Sequence, residues 1–145
     1  MKKKLIWLLT LVVMIVGIFS LSACGENSTE DSAEKIRAEK VGCYKFYSMT
    51  TEIDGETVEL KVGGYYMFLT LTQEFVVVEL KEDGTYTASM MGGMADTSGT
   101  WKVNEEDSKK VDLTAEGESN TWICDGNELH MEEDGTQITL KKVSE

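Results

Sequence analysis

Four Asp-Gly pairs, Asp54-Gly55, Asp83-Gly84, Asp125-Gly126 and Asp134-Gly135, each stand between segments rich in β-branched and aromatic residues. Aspartate and glycine tolerate the positive φ that tight hairpin turns demand, so these pairs call for antiparallel strands that double back on themselves. The chain on either side has the length and period of strands. Residues 41–49, 57–61, 75–81, 85–90, 99–103, 110–115, 120–125, 128–133 and 137–142 are each about as long as an ordinary strand.

The alternation within them separates two faces. Tyr44 and Phe46 share one face of the first strand, opposite Cys43, Lys45 and Tyr47. Further along, Tyr86, Ala88 and Met90, then Trp101 and Val103, then Val111, Leu113 and Ala115 fall on one side, followed by Leu129 with Met131 and Ile138 with Leu140. An internal echo, Leu80-Lys81-Glu82-Asp83-Gly84-Thr85 against Met131-Glu132-Glu133-Asp134-Gly135-Thr136, fits a meander of hairpins. Eight or nine short strands without a long helix in the domain predict an all-β fold, an antiparallel up-and-down β-barrel or a strongly curved meander sheet. Closure would also remove exposed edges. Residues 62–73 carry no charge, and their tyrosine, phenylalanine and threonine content favours a strand, although their length also suits a short helix plugging a barrel end.

Ahead of this domain, Lys2, Lys3 and Lys4 precede an apolar run that ends in Leu21-Ser22-Ala23-Cys24. That arrangement resembles the lipobox signal peptide of bacterial lipoproteins of Gram-positive type, whose leader is removed before a cysteine that carries lipid. The resemblance implies a signal peptide at 1–23, a lipid anchor on Cys24 and a location on the cell membrane, facing the extracytoplasmic side. An uncleaved transmembrane anchor is the competing reading of the same run, and by the positive-inside rule it places the domain on the same side. Residues 25–33 read as a polar, flexible tether, and residues 32–40 as two helical turns begun by Ser32, with Ile36 their single apolar residue. The domains are then 1–23, 24–40 and 41–145.

Charge narrows the partners. All 26 acidic residues follow Cys24 against 11 basic ones, a net charge of −15. Nucleic acid and anionic headgroups are repelled by such a domain, which leaves an extracytoplasmic protein or a small ligand as partner and the membrane only through the lipid. With Cys24 lipidated, Cys43 and Cys124 either form a disulfide or stand as two separate thiols.

The strand pattern resembles the small lipocalin-like, calycin-type lipoprotein domains of Gram-positive bacteria. Carrying the likeness are Val41-Gly42-Cys43-Tyr44-Lys45, Lys81-Glu82-Asp83-Gly84-Thr85-Tyr86, Gly99-Thr100-Trp101-Lys102-Val103 and the closing Gly126-Asn127-Glu128-Leu129 with Ile138-Thr139-Leu140-Lys141-Lys142. The resemblance implies a compact barrel and no particular activity. Lipocalins proper carry Gly-x-Trp on the first strand, where this chain has Gly42 followed by Tyr44.

Chemistry-bearing motifs are sparse. His130, the only histidine, has Glu128 and Glu132 on its face, and one histidine without a nearby cysteine is a poor zinc site. The carboxylate clusters at 105–107 and 132–134 lack the spacing of a calcium loop and coincide with turns. No Gly-x-Ser-x-Gly elbow is present. The expectation is a protein that is not an enzyme, without metal or cofactor, whose function is interaction. Tyr65-Tyr66-Met67-Phe68 offers aromatic area and Met90-Met91-Gly92-Gly93-Met94 offers pliable side chains on a glycine hinge. The alternative is a carrier holding a small hydrophobic ligand inside the barrel, lined by Tyr65, Phe68, Met90, Trp101 and Trp122.

Overall fold

The computed structural model describes residues 28–144, so the leader, the lipobox and Cys24 lie outside the described residues. A helix, α1 (Ser28–Lys40), comes first. It starts four residues before the expected Ser32 and takes in much of the stretch expected to be a tether. No glycine or proline interrupts it, and Arg37 and Lys40 in its last turn complement the negative end of the helix dipole.

Residues 35–145 form one compact unit. Its strands are β1 (Gly42–Ile53), β2 (Glu56–Lys61), β3 (Tyr65–Tyr66), β4 (Leu69–Thr70), β5 (Val76–Leu80), β6 (Thr85–Met90), β7 (Ala95–Val103), β8 (Lys110–Ala115), β9 (Glu118–Asp125), β10 (Glu128–Glu133) and β11 (Thr136–Lys142). Among the described residues, nine of them form one antiparallel sheet in the order β11-β10-β9-β8-β7-β6-β5-β1-β2, and a β11–β1 pairing closes it. The result is an eight-stranded barrel with β2 as an extra strand. The nine strands legible in the alternation are these nine.

Closure depends on β1. Gly42 to Lys45 pairs with β5, and Ser48 to Ile53 pairs with β2. On its other edge β1 pairs with β11, with a bulge at Tyr47 between Phe46↔Leu140 and Ser48↔Thr139. One extra residue inverts the parity of a strand, so the inward positions change from Tyr44 and Phe46 to Met49 and Thr51. Tyr47 is left on the outside, with the Lys141 ammonium 3.7 Å from its ring centroid.

Among the described residues, sixteen apolar side chains fill the interior. Tyr44, Leu71, Val78, Val111, Cys124 and Leu129 have 0% exposure. A hollow wide enough for a ligand would leave accessible surface on the side chains around it, so the space beside these six is filled.

The last turn of α1, residues 37–40, is held at one end of the barrel, here the lid end. The apolar face of the helix is weak, as the sequence indicates, and polar contacts hold it instead. Lys40 is buried and donates from Nζ to the Cys124 carbonyl at 2.6 Å, while the Tyr44 hydroxyl donates to the Lys40 carbonyl at 2.7 Å. Lys142 Nζ donates to the Glu39 carbonyl at 2.6 Å, and Arg37 donates to the Glu82 carbonyl at 3.2 Å with its guanidinium over the Trp101 ring. Lys142 thus satisfies an orphan carbonyl at the helix C-terminus and adds a cation where the dipole favours one.

Loops at the lid end are shaped by their own carboxylates. Asp83 accepts from the Thr85 hydroxyl and amide, Asp107 from the Lys109 amide, and Asp112 from Thr121 Oγ1 and Asn104 Nδ2. The Thr85 hydroxyl, the Lys109 amide and the Thr121 hydroxyl respectively are the main reason these carboxyls titrate below the ordinary range. Depressed folded values mean that this stabilisation is complete above about pH 4, the unfolded value, and is lost as pH falls below it. Urea midpoints should therefore decline from pH 5 toward about pH 2, and Asp112→Asn should flatten that decline. An unchanged slope in the variant would show that Asp112 does not contribute.

Candidate functional site

In an up-and-down barrel alternate turns share an end. The turns at 81–84, 104–109 and 126–127 lie with α1 at the lid end, whereas 54–55, 91–94, 116–117 and 134–135 lie at the distal end. Residues 62–75 leave β2, cross the distal end and return in β5. They resolve the strand-or-plug alternative as a mixture: β3 and β4 form a small hairpin, a 3-10 turn spans Gln73–Phe75, and Leu71 and Phe75 plug the barrel. Phe75 meets Phe46 edge to face at 5.3 Å.

The hairpin projects beyond this plug. Tyr65 pairs with Thr70 and Tyr66 with Leu69, leaving Met67-Phe68 as a two-residue turn. Met67 has φ 47° and Phe68 φ 79°. Both central residues of such a turn need positive φ, which is why Asn-Gly is preferred there and bulky residues are strained. These two are also turned to solvent: Phe68 is 103% exposed, Met67 72% and Tyr65 75%. Burial explains neither residue, and local geometry opposes both.

A second apolar loop adjoins the first. In the turn at 91–94, the Met91 amide donates to the Phe75 carbonyl at 2.7 Å and the Gly92 amide to the Glu74 carbonyl at 3.1 Å. The hairpin is held nearby by Gly63 and Leu71 amides donating to the Leu71 and Gly64 carbonyls. Both loops are therefore fixed to the backbone that carries the two plug residues. Met94 is 82% exposed, and Met91 has φ 52°.

The rest of the distal rim is acidic. Glu52, Asp54 and Glu56 lie about the β1–β2 turn, Glu116 and Glu118 at the β8–β9 turn, and Glu132, Glu133 and Asp134 at the β10–β11 turn, all exposed. Among the described residues those strand ends and turns hold no basic residue; Lys61, paired with Glu59 at 3.5 Å, lies at the other end of β2, opposite Ser48. Passing around the rim, the order is 62–75, 91–94, 116–117, 134–135 and 54–55, so one arc is largely apolar, with Glu74 neutralised by Lys45, and the other carries carboxylates.

Of the residues expected to contact a ligand, Tyr65, Phe68 and Met90 come to this end, and the two tryptophans do not. Trp101 is core, donating from Nε1 to the Lys81 carbonyl at 2.9 Å, and Trp122 is half-buried against the core from β9. The five do not line a common interior. Cys43 and Cys124 are not bridged. Cys124 faces inward with Sγ 3.5 Å from the Tyr44 hydroxyl, whereas Cys43, next to Tyr44 on β1, points to the opposite face of the wall. His130 lies on the outer wall between Thr139 Oγ1 at 3.0 Å and Glu128 Oε2 at 3.1 Å. Reading residue by residue finds the carboxylates at 132–134 but not those at 52–56 and 116–118, nor that the three groups share one end. The signal for that grouping is the parity of the turns, since alternate turns of a meander fall at the same end.

No family model matches the chain, and no curated protein matches it. It is similar to the solved structure of an uncharacterized protein from Bacteroides eggerthii, at 11% identity over 72% of this chain and 99% of that one, with a TM-score of 0.44. It is also similar to a DUF4847 family protein from Bacteroides vulgatus, at 13% identity over 74% and 96% of the two chains, with a TM-score of 0.43. Neither likeness assigns an activity.

Proposed function

We propose that this is a lipid-anchored, extracytoplasmic interaction protein without enzymatic activity, held to the membrane through Cys24 and binding its partner at the distal end of the barrel. The observation that carries the binding reading is the Met67-Phe68 turn, where two large apolar residues occupy strained, solvent-facing positions that folding alone would fill otherwise. Polarity of the barrel supports the arrangement. Residues 35–40 join it at the lid end, opposite the distal turns. The interior supports surface binding over carriage, because the six fully buried side chains leave no ligand space beside them.

The anchor is tested by metabolic labelling with an alkyne fatty acid and membrane fractionation. Wild type is expected to carry label on Cys24 and to pellet with membranes, and Cys24→Ser to lose both. Retention of an unlabelled Cys24→Ser chain would replace the lipid anchor with an uncleaved helix.

For the distal end, Met67→Asn with Phe68→Gly should raise stability by about 1 to 2 kcal/mol, since each L-residue in the left-handed region costs on that order and Asn-Gly suits the turn. Thermal unfolding would show a Tm several degrees higher. An unchanged or lower Tm would mean that these side chains support the fold, and the functional reading of their strain would fall.

A further inference from the structure

We infer that the partner of the distal end is a cationic amphipathic segment, whose apolar side chains lie on the arc formed by the β3–β4 hairpin and the 91–94 turn and whose lysines or arginines meet the neighbouring acidic arc. This rests on the reading of the distal end as the interaction surface and names the chemistry of what it takes.

The apolar arc is the docking feature. Met67, Phe68, Met91 and Met94 are exposed there, and methionine in particular adapts to the shape laid against it. An apolar projection of this kind favours contact with another apolar surface over water. The sign of the partner follows from what borders the arc. Carboxylates occupy the three remaining distal turns, and among the described residues no ion pair joins any of them to a basic side chain; Glu59 and Lys61 pair farther along β2, opposite Thr50 and Ser48. Most basic side chains of the unit are instead on the helix, on the lid-end turns or at the lid-end halves of the strands, as with Lys40, Lys81, Lys109, Lys110 and Lys142. The barrel is thus polarised along its axis.

Two other occupants fit less well. A bilayer with anionic headgroups would set its phosphates against the acidic arc, and a second copy of this chain approaching by the same end would bring two acidic arcs together. A segment with one apolar and one basic face satisfies both halves of the rim at once. Its charges would accelerate encounter and fix orientation, and its apolar face would hold it in place.

The test uses the full chain in nanodiscs of phosphatidylcholine, with empty discs as reference. Binding is measured by fluorescence anisotropy for three labelled amphipathic peptides of about 18 residues, five helical turns, with leucine on one face and lysine, glutamine or glutamate on the other. The lysine peptide is expected to bind, to weaken at least about tenfold between about 50 and 500 mM salt, and to lose at least about tenfold in Glu116→Gln/Glu118→Gln/Glu133→Gln and, separately, in Met67→Asn/Phe68→Gly. Circular dichroism and Tm establish that both variants are folded. Equal binding of the glutamine peptide, lost in Met67→Asn/Phe68→Gly, would overturn the cationic assignment and leave the distal interaction surface standing. Lysine-peptide binding untouched by Met67→Asn/Phe68→Gly would overturn both. No binding by the lysine peptide above the empty-disc level overturns the inference.

Discussion

Gly99→Ala should cost about 3 kcal/mol or more, lower the Tm by more than about 10 °C and leave little of the domain's margin at 37 °C. A Cβ at position 99 would lie 2.0 Å from the Thr114 carbonyl oxygen, 2.9 Å from its carbon and 3.0 Å from Tyr86 Cε1. The first two atoms are backbone of β8, the neighbour of β7 in the wall, so relief requires the strands to separate. The Tyr86 ring, on the residue paired with Gly99, covers the glycine from β6 and is itself buried. Overpacking a core ordinarily costs about 1 to 3 kcal/mol when side chains can give way, and here they cannot. A domain of this size holds roughly 5 to 15 kcal/mol in total, so the loss is a large share. Gly55→Ala is the comparison, because its φ is 81° and nothing lies within 4 Å of an added Cβ. It should cost only the roughly 1 kcal/mol of a left-handed alanine. Equal losses in the two variants would show that β8 yields to the added methyl, so that its approach does not make Gly99 necessary.

Gly99 also illustrates what the sequence could show. Gly99-Thr100-Trp101-Lys102-Val103 stood out as a motif, and its strand was legible from Trp101 and Val103, but the need for glycine arises from a carbonyl fifteen residues later. The wall was readable because alternation and Asp-Gly turns are local. Residues 85–90, 110–115 and 128–133 coincide with the boundaries of β6, β8 and β10. Features that depend on contacts between distant strands were not readable in the same way. The bulge at Tyr47 reverses the parity of β1, and no residue there announces it. Sequence alone leaves Cys43 and Cys124 as a disulfide or as two separate thiols. Pairing needs side chains that converge, and adjacent strand positions diverge.

At the candidate site the division is similar. Both apolar stretches were visible as composition, and their meeting at one end follows from turn parity in a closed barrel. Strain in Met67 and Phe68 was not visible, because an uncharged run rich in tyrosine and threonine can be strand, plug or hairpin until its ends are fixed. The Val62 amide bonded to the Tyr47 carbonyl fixes one end, and the Met91 and Gly92 amides bonded to the Phe75 and Glu74 carbonyls fix the other. The Met91 and Gly92 bonds tie the 91–94 turn to the 3-10 turn that follows the hairpin.

Tyr44→Ala should be the most damaging substitution at the lid end, at about 4 kcal/mol, whereas Tyr44→Phe should cost about 1 kcal/mol. The ring is fully buried on β1 between the Val78 and Lys142 registers, and its removal leaves a cavity that rigid strands cannot close. The hydroxyl has a separate role, donating to the Lys40 carbonyl and lying 3.5 Å from Cys124 Sγ. Burial, with the adjacent Cys124 thiol, drives its titration far above the ordinary tyrosine range. Because the folded value is raised, stability from this group is complete below about pH 10, where the unfolded phenol titrates, and falls as pH rises beyond it. Tyr44→Phe should lessen that alkaline decline, leaving the part that the buried Tyr86 phenol contributes, while keeping most of the stability at neutral pH. It should also speed hydrogen exchange of α1 amides at 37–40 more than that of β8 or β11, because the bond it deletes joins helix to barrel. If Tyr44→Phe costs as much as Tyr44→Ala, the hydroxyl outweighs the ring. The lid is then a condition of barrel folding, where the contacts described here make it a helix laid on a barrel that is already packed.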